Sequence, residues 1–123
     1  MAGWFKSLHP SIIASLKRIL DAASAASKPA VVCGEMAGSP FYVPILIGLG
    51  ATELSMNVNS ITRVRRVITG IAFDETRDLV GSILSCGTVE DVESTARAFV
   101  EEHWSHLFDA DQLVGFKPPL IAS

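Results

Sequence analysis

The residues with the clearest chemical potential lie in one stretch, Val31-Val32-Cys33-Gly34-Glu35-Met36-Ala37-Gly38-Ser39-Pro40. A short apolar run ends there in a thiol, a carboxylate and glycines. Val31 and Val32 favour an extended, buried segment, and Gly34 and Gly38 interrupt any regular element and let a ligand come close to the backbone. Cys33 is thus expected at the carboxyl end of a strand, which in open α/β sheets and β/α barrels is where ligands bind. A thiol in that position is a candidate reactive group. The blander alternative is a small buried hydrophobe, a common fate of an unpaired cysteine.

Other chemistry-bearing residues are less concentrated. Cys86, beside Gly87, has neither metal-ligand nor redox-motif spacing to Cys33, so no zinc site and no disulfide framework is indicated. His103 and His106, with Glu102, could begin a metal site, but a third ligand at fixed spacing is missing and a solvated helix face is the simpler reading. His9, between Leu8 and Pro10, suits a loop or a helix cap. Arg63, Arg65 and Arg66 could meet a phosphate, yet exposed arginines on a helix ordinarily belong to a solvated face. Ser55 and Asn57 stand at the end of a second strand, where they would line a site at most.

The elements that must position these residues follow from periodicity. A helix opens at Pro10 or Ser11, with Ile12, Ile13, Leu16, Ile19, Leu20 and Ala23 as one buried stripe, and ends at Lys28-Pro29. A strand over 30–33 follows. Ser39 is placed to cap a second helix with Pro40 as its first residue, running to Leu49 and stopped by Gly50. That helix is apolar all round and calls for cover on more than one side. Residues 52–58 read as a second strand, and Ser60 as the cap of a helix with Ile61, Val64, Val67 and Ile68 facing inward. Helices are predicted over 74–85 and from Thr88 onward, the latter with Val92, Ala96, Phe99 and Val100 as its apolar line. Strands alternating with helices indicate an α/β fold with a parallel sheet.

The 123 residues, 49% hydrophobic and 19% charged, are enough for one modest core. A net charge of −3 with dispersed basic residues gives no footprint for nucleic acid. No apolar run approaches the roughly 20 residues of a membrane span, and no secretory signal is evident, so a cytoplasmic location is expected. A physical problem remains. Two parallel strands leave two open edges, and buried parallel strands need neighbours as well as helices.

Four blocks in order carry a family resemblance: Cys33-Gly34-Glu35-Met36-Ala37-Gly38, Ile45-Leu46-Ile47-Gly48-Leu49-Gly50, Glu53-Leu54-Ser55-Met56-Asn57, and Ile61-Thr62-Arg63-Val64-Arg65-Arg66-Val67-Ile68. Together with Leu8-His9-Pro10-Ser11-Ile12-Ile13, they resemble the carboxyl-terminal end of enzyme I of the bacterial phosphoenolpyruvate phosphotransferase system, most closely its nitrogen-related paralogue. The resemblance implies the last two βα units of a TIM-type β/α barrel over 1–72, a C-terminal helical extension of the same domain over 73–108, and a tail over 109–123. The chain would then be an incomplete barrel.

The same resemblance implies function. In the family, phosphoenolpyruvate gives its phosphoryl group to a histidine of another domain and on to a histidine phosphocarrier protein, and the enolate left behind must be protonated on carbon. Cys33 matches the family's proton donor, a role that suits a thiol because it is mostly protonated at neutral pH. Gly34 would leave the path to the thiol open. Glu35 would orient the thiol or a basic neighbour, although some members carry glutamine there. Ser39 stands where the family usually has aspartate. The phosphohistidine domain, the phosphate-binding arginines and the ligands of the family's Mg2+ all precede the matched segment, so turnover by this chain alone is not expected. The alternative is a non-catalytic interaction module, since the family's barrel domain also carries its dimer interface; a homodimer or higher oligomer is expected in either case. A thiol redox switch has no resolving cysteine or cationic neighbour nearby.

Overall fold

The computed structural model describes residues 9–33 and 37–108. In chain order the elements are α1 (Pro10–Ala25), β1 (Val31–Val32), α2 (Val43–Leu49), β2 (Glu53–Leu54), α3 (Val58–Gly70), α4 (Phe73–Leu84) and α5 (Val89–His103), followed by a 3-10 turn at Ser105–Leu107. The described residues are therefore mostly helical around a small two-stranded parallel sheet, with Val31 opposite Glu53 and Val32 opposite Leu54.

Local sequence explains most helix starts. His9 caps α1 as its Nδ1 accepts from the Ser11 amide at 3.1 Å, and Pro10 sits in the first turn, where its missing N–H costs nothing. Thr88 caps α5 by accepting from the Asp91 amide at 3.1 Å. Gly50 ends α2 in the left-handed region at φ 112°, as a helix stop there requires.

Three starts or spans differ from the sequence expectation. Helix α2 begins at Val43, not at Pro40; the Ser39 carbonyl accepts from the Tyr42 and Val43 amides and makes only a turn. A helix begun at Pro40 would carry Pro44 at its fifth position, where its ring meets the carbonyl four residues back. Starting at Val43 keeps Pro44 in the first turn. Helix α3 is capped by Asn57, whose Oδ1 accepts from both the Ser60 amide (3.0 Å) and the Ser60 hydroxyl (3.1 Å), and Ser60 itself is buried. This cap turns the chain out of the sheet, so β2 does not extend over 52–58. It pairs only along Glu53–Leu54, with one further bond from the Ser55 amide to the Val32 carbonyl at 2.8 Å.

The core lies between the helices. Ile45, Leu46 and Leu49 of α2 meet Leu79, Val80 and Ile83 of α4, and Val92, Ala96, Val100 and Trp104 close the far side. Helix α2 has the many-sided cover its sequence calls for. It reaches α4 at backbone range: a Cβ on Gly48 would collide with the Thr76 carbonyl oxygen and stand 2.5 Å from Val80 Cγ2. The outer stripes are less buried than periodicity alone predicts. In α1 the inward line is Ile13, Leu16 and Leu20, while Ile12 and Ile19 are exposed. In α3, Val64 and Val67 are buried but Ile61 and Ile68 remain 43% and 42% exposed. Each helix has a neighbour on one side only, and a stripe wider than that contact stays open to solvent.

A polar clamp joins the two ends of the helical layer. Glu75, in the first turn of α4, accepts from the Trp104 indole Nε1 at 2.9 Å and from the Ala72 amide at 3.0 Å through the same Oε1. The second bond is half of a capping box; alanine has no side-chain oxygen to return it. The Trp104 indole, and next the Ala72 amide, hold the Glu75 carboxyl below its usual value.

Two predictions follow from this packing. A carboxylate whose pKa is depressed in the fold stabilises it fully above the ordinary carboxylate value, and that contribution disappears as pH falls through the lowered value. Glu75→Gln keeps an acceptor but no titration, so the stability difference between wild type and variant, followed by thermal melts against pH, should shrink towards acid in that window. Gly48→Ala should destabilise the fold by about 1–3 kcal/mol in urea unfolding, the usual cost of overpacking a close helix contact.

Candidate functional site

The two strands present two different faces. Side chains alternate along a strand, and burial follows that alternation here: Val32 and Leu54 are partly buried against the core, whereas Val31, Cys33, Glu53 and Ser55 are exposed. Helices cover one face of the sheet and leave the other bare, so the expectation of a fully buried β1 is corrected; Val31 is 54% exposed. A parallel pair needs cover on both sides to bury both.

Cys33 lies immediately beyond β1, at the carboxyl end, as the sequence predicts, and it is exposed. It is a surface thiol and not a buried hydrophobe. The register that pairs Val32 with Leu54 makes Ser55 its next neighbour across the pair. Ser55 therefore shares the bare face and the carboxyl end with the thiol, and Glu53 joins them one step down. Sequence reading gave Glu53 no chemical role; the signal for it was parity, because 31, 33, 53 and 55 are odd-numbered positions on two strands whose register offset is even. Asn57 does not join the group, since its side chain is spent on the α3 cap. Gly34 and Glu35 lie outside the described residues.

The other candidates are dispersed. Cys86 is half-buried at the end of α4, with Sγ 3.5 Å from both the Ser82 carbonyl oxygen and Thr95 Oγ1. His103 stacks on Phe99 with ring centroids 4.0 Å apart, and its Nδ1 donates to the Phe99 carbonyl at 3.2 Å. Arg63, Arg65 and Arg66 are exposed along α3, and Arg66 donates to the His106 carbonyl at 3.4 Å. Among the described residues no three His, Cys, Asp or Glu side chains converge as a metal site would require. No helix of the described residues is long and apolar enough to cross a membrane.

A groove of about 780 Å³ opens on the helix-covered side of β2, away from Cys33. Ile47, Leu54, Met56, Ile61, Val64 and Ile68 give it apolar walls, with Arg65 beside them.

Residues 1–73 match the model of the family described as PEP-utilising enzyme, PEP-binding domain. This chain belongs to that family. The match spans both strands and α1 to α3, so the bare face carrying Cys33 lies wholly within the PEP-binding domain. The chain is similar to the phosphoenolpyruvate-protein phosphotransferase of Staphylococcus aureus, 34% identical over 97 residues that make up 79% of this chain and 17% of that protein. The protein of the same name from Staphylococcus epidermidis is 38% identical over 88 residues, 72% of this chain and 15% of its own length. A Salmonella typhimurium protein named phosphoenolpyruvate-dependent phosphotransferase system is 37% identical over 101 residues, 82% of this chain and 14% of its own. The chain thus spans about a sixth of the length of the curated relatives it matches.

The exposures of the two thiols give a direct check on the site. In the native chain an alkylating reagent should modify Cys33 several times faster than Cys86, and mass spectrometry of timed digests should show the difference vanish in denaturant.

Proposed function

We propose that this chain is a segment of a phosphoenolpyruvate-dependent protein phosphotransferase, and that Cys33 supplies the proton that converts the enolate of pyruvate to pyruvate. The observation that carries the proposal is the position of Cys33: an exposed thiol at the carboxyl end of β1, on the bare sheet face of a PEP-binding domain. The two βα units are read as part of a β/α barrel wall. Helices on one face and an uncovered opposite face are what a barrel needs, with helices outside and site residues at the carboxyl ends of its strands.

The chemistry asked of this chain is one proton transfer. Once the phosphoryl group has left for a histidine elsewhere in the parent enzyme, the enolate carbon takes the proton from Cys33 Sγ; a C–H bond forms, the S–H bond breaks, and the thiolate later recovers a proton from water. Ser55, next in register, lines the approach, and Glu53 is a carboxylate on the same face. Gly34 and Glu35 keep the roles the resemblance gives them, an open path to the thiol and its orientation. The family's magnesium ion would neutralise charge on enolate and phosphate. The described residues do not fit a site for it, because no set of three ligands converges, and the reading assigns the metal, the phosphohistidine and the docking of the phosphocarrier to the parent's other residues, in the cytoplasm.

Cys33→Ala in the intact phosphotransferase is the test. Phosphoryl exchange at the histidine should persist while pyruvate formation slows sharply. Equal loss of both would assign Cys33 a role in binding or folding. The 123-residue chain alone should transfer no phosphoryl group to a carrier.

A further inference from the structure

The sheet has two open edges, and they are different. In a parallel ladder each residue points its N–H and C=O to the same side. Val32 bonds towards β2, accepting from Ser55, so Leu54 directs its own backbone groups away from β1, to the free edge of β2. By the same geometry Val31 directs its groups to the free edge of β1. The β2 edge opens into the 780 Å³ groove, whose far wall is α3. Along that helix Val58 (76% exposed), Ile61, Arg65 and Ile68 follow at spacings of three, four and three, a second apolar stripe distinct from the buried one of Ser60, Val64 and Val67. Helix α3 therefore roofs an empty strand position beside Leu54.

We infer that the occupant of this groove in the isolated chain is β1 of a second copy, entering parallel to β2. The groove needs a strand with open backbone groups and an apolar residue to place beneath Ile61, Val64 and Ile68. Strand β1 offers both: Val31 keeps unpaired backbone groups at its outer edge, and Val32 points to the helix side. Helix α1, which leads into β1, also carries an exposed pair, Ile12 and Ile19, with the same seven-residue separation as Ile61 and Ile68. The joined surfaces are then different on the two partners, a heterologous contact that propagates until it closes. With two strands from each copy, closure at four copies would give the eight parallel strands of a closed β/α barrel. The inference concerns the open edges only and stands apart from the role of Cys33.

Light scattering coupled to size-exclusion chromatography tests it on the full 123-residue chain. The wild type should elute as a closed assembly larger than a dimer. Ile61→Glu/Ile68→Glu charges the groove, and Val31→Pro removes the outward N–H of β1, a substitution edge strands tolerate; each variant alone should be monomeric. Mixed, the two variants retain one intact surface of each kind and should form a one-to-one dimer that goes no further, which also shows that both are folded. A monomeric wild type would overturn the inference and leave the groove to a strand of a longer polypeptide. So would an assembly that survives either variant, or a mixture that stays monomeric.

Discussion

Helix α2 seats against α4 at Gly48 with no side chain between the backbones, and the rest of the architecture depends on that approach. The helix is the sole connection from β1 to β2, so its height above the sheet sets where each strand begins and which residues stand opposite. Packing density in an interior leaves little slack. A shift of α2 by the width of a methyl group would have to be absorbed by the two-residue pairing, which has only a few hydrogen bonds with which to resist.

This seat also explains why one sheet face is covered and the other bare. All the helical mass lies on the side of Val32 and Leu54, and the polar and reactive residues accumulate on the other. Cys33, Glu53 and Ser55 are exposed because nothing in the described residues has been assigned to cover them. The arrangement separates two tasks spatially: apolar adhesion on the helix side, where the groove lies, and chemistry on the strand-end side, where the thiol lies.

Much of this was legible in the sequence, and the parts that were not share a cause. Helix existence and order followed from periodicity, and the placement of Cys33 at a strand end followed from the change from β-branched residues to glycine. The start of α2 was misread because two prolines four residues apart compete for one first turn, and only the later one leaves a helix intact. The extent of β2 was misread because a strand is as long as its partner allows, and β1 offers two residues. The exposure of Ile61, Ile68, Ile12 and Ile19 was invisible for a different reason. Periodicity marks which side of a helix is apolar, whereas the neighbour that would cover it is a property of the whole assembly.

The alternation of the strands carries a last consequence, for how this segment can change over evolutionary time. Cys33 is exposed on the bare face because an even number of steps separates it from Val31. A single inserted or deleted residue between Pro29 and Cys33 would preserve composition, apolar character and the thiol itself, yet would rotate the sulfur to the helix-covered side. Point substitutions at Val31 or Val32 are by comparison mild. The segment is thus expected to drift freely in side-chain identity while holding its length rigidly, and length conservation would be a better marker of a working site than the motif letters.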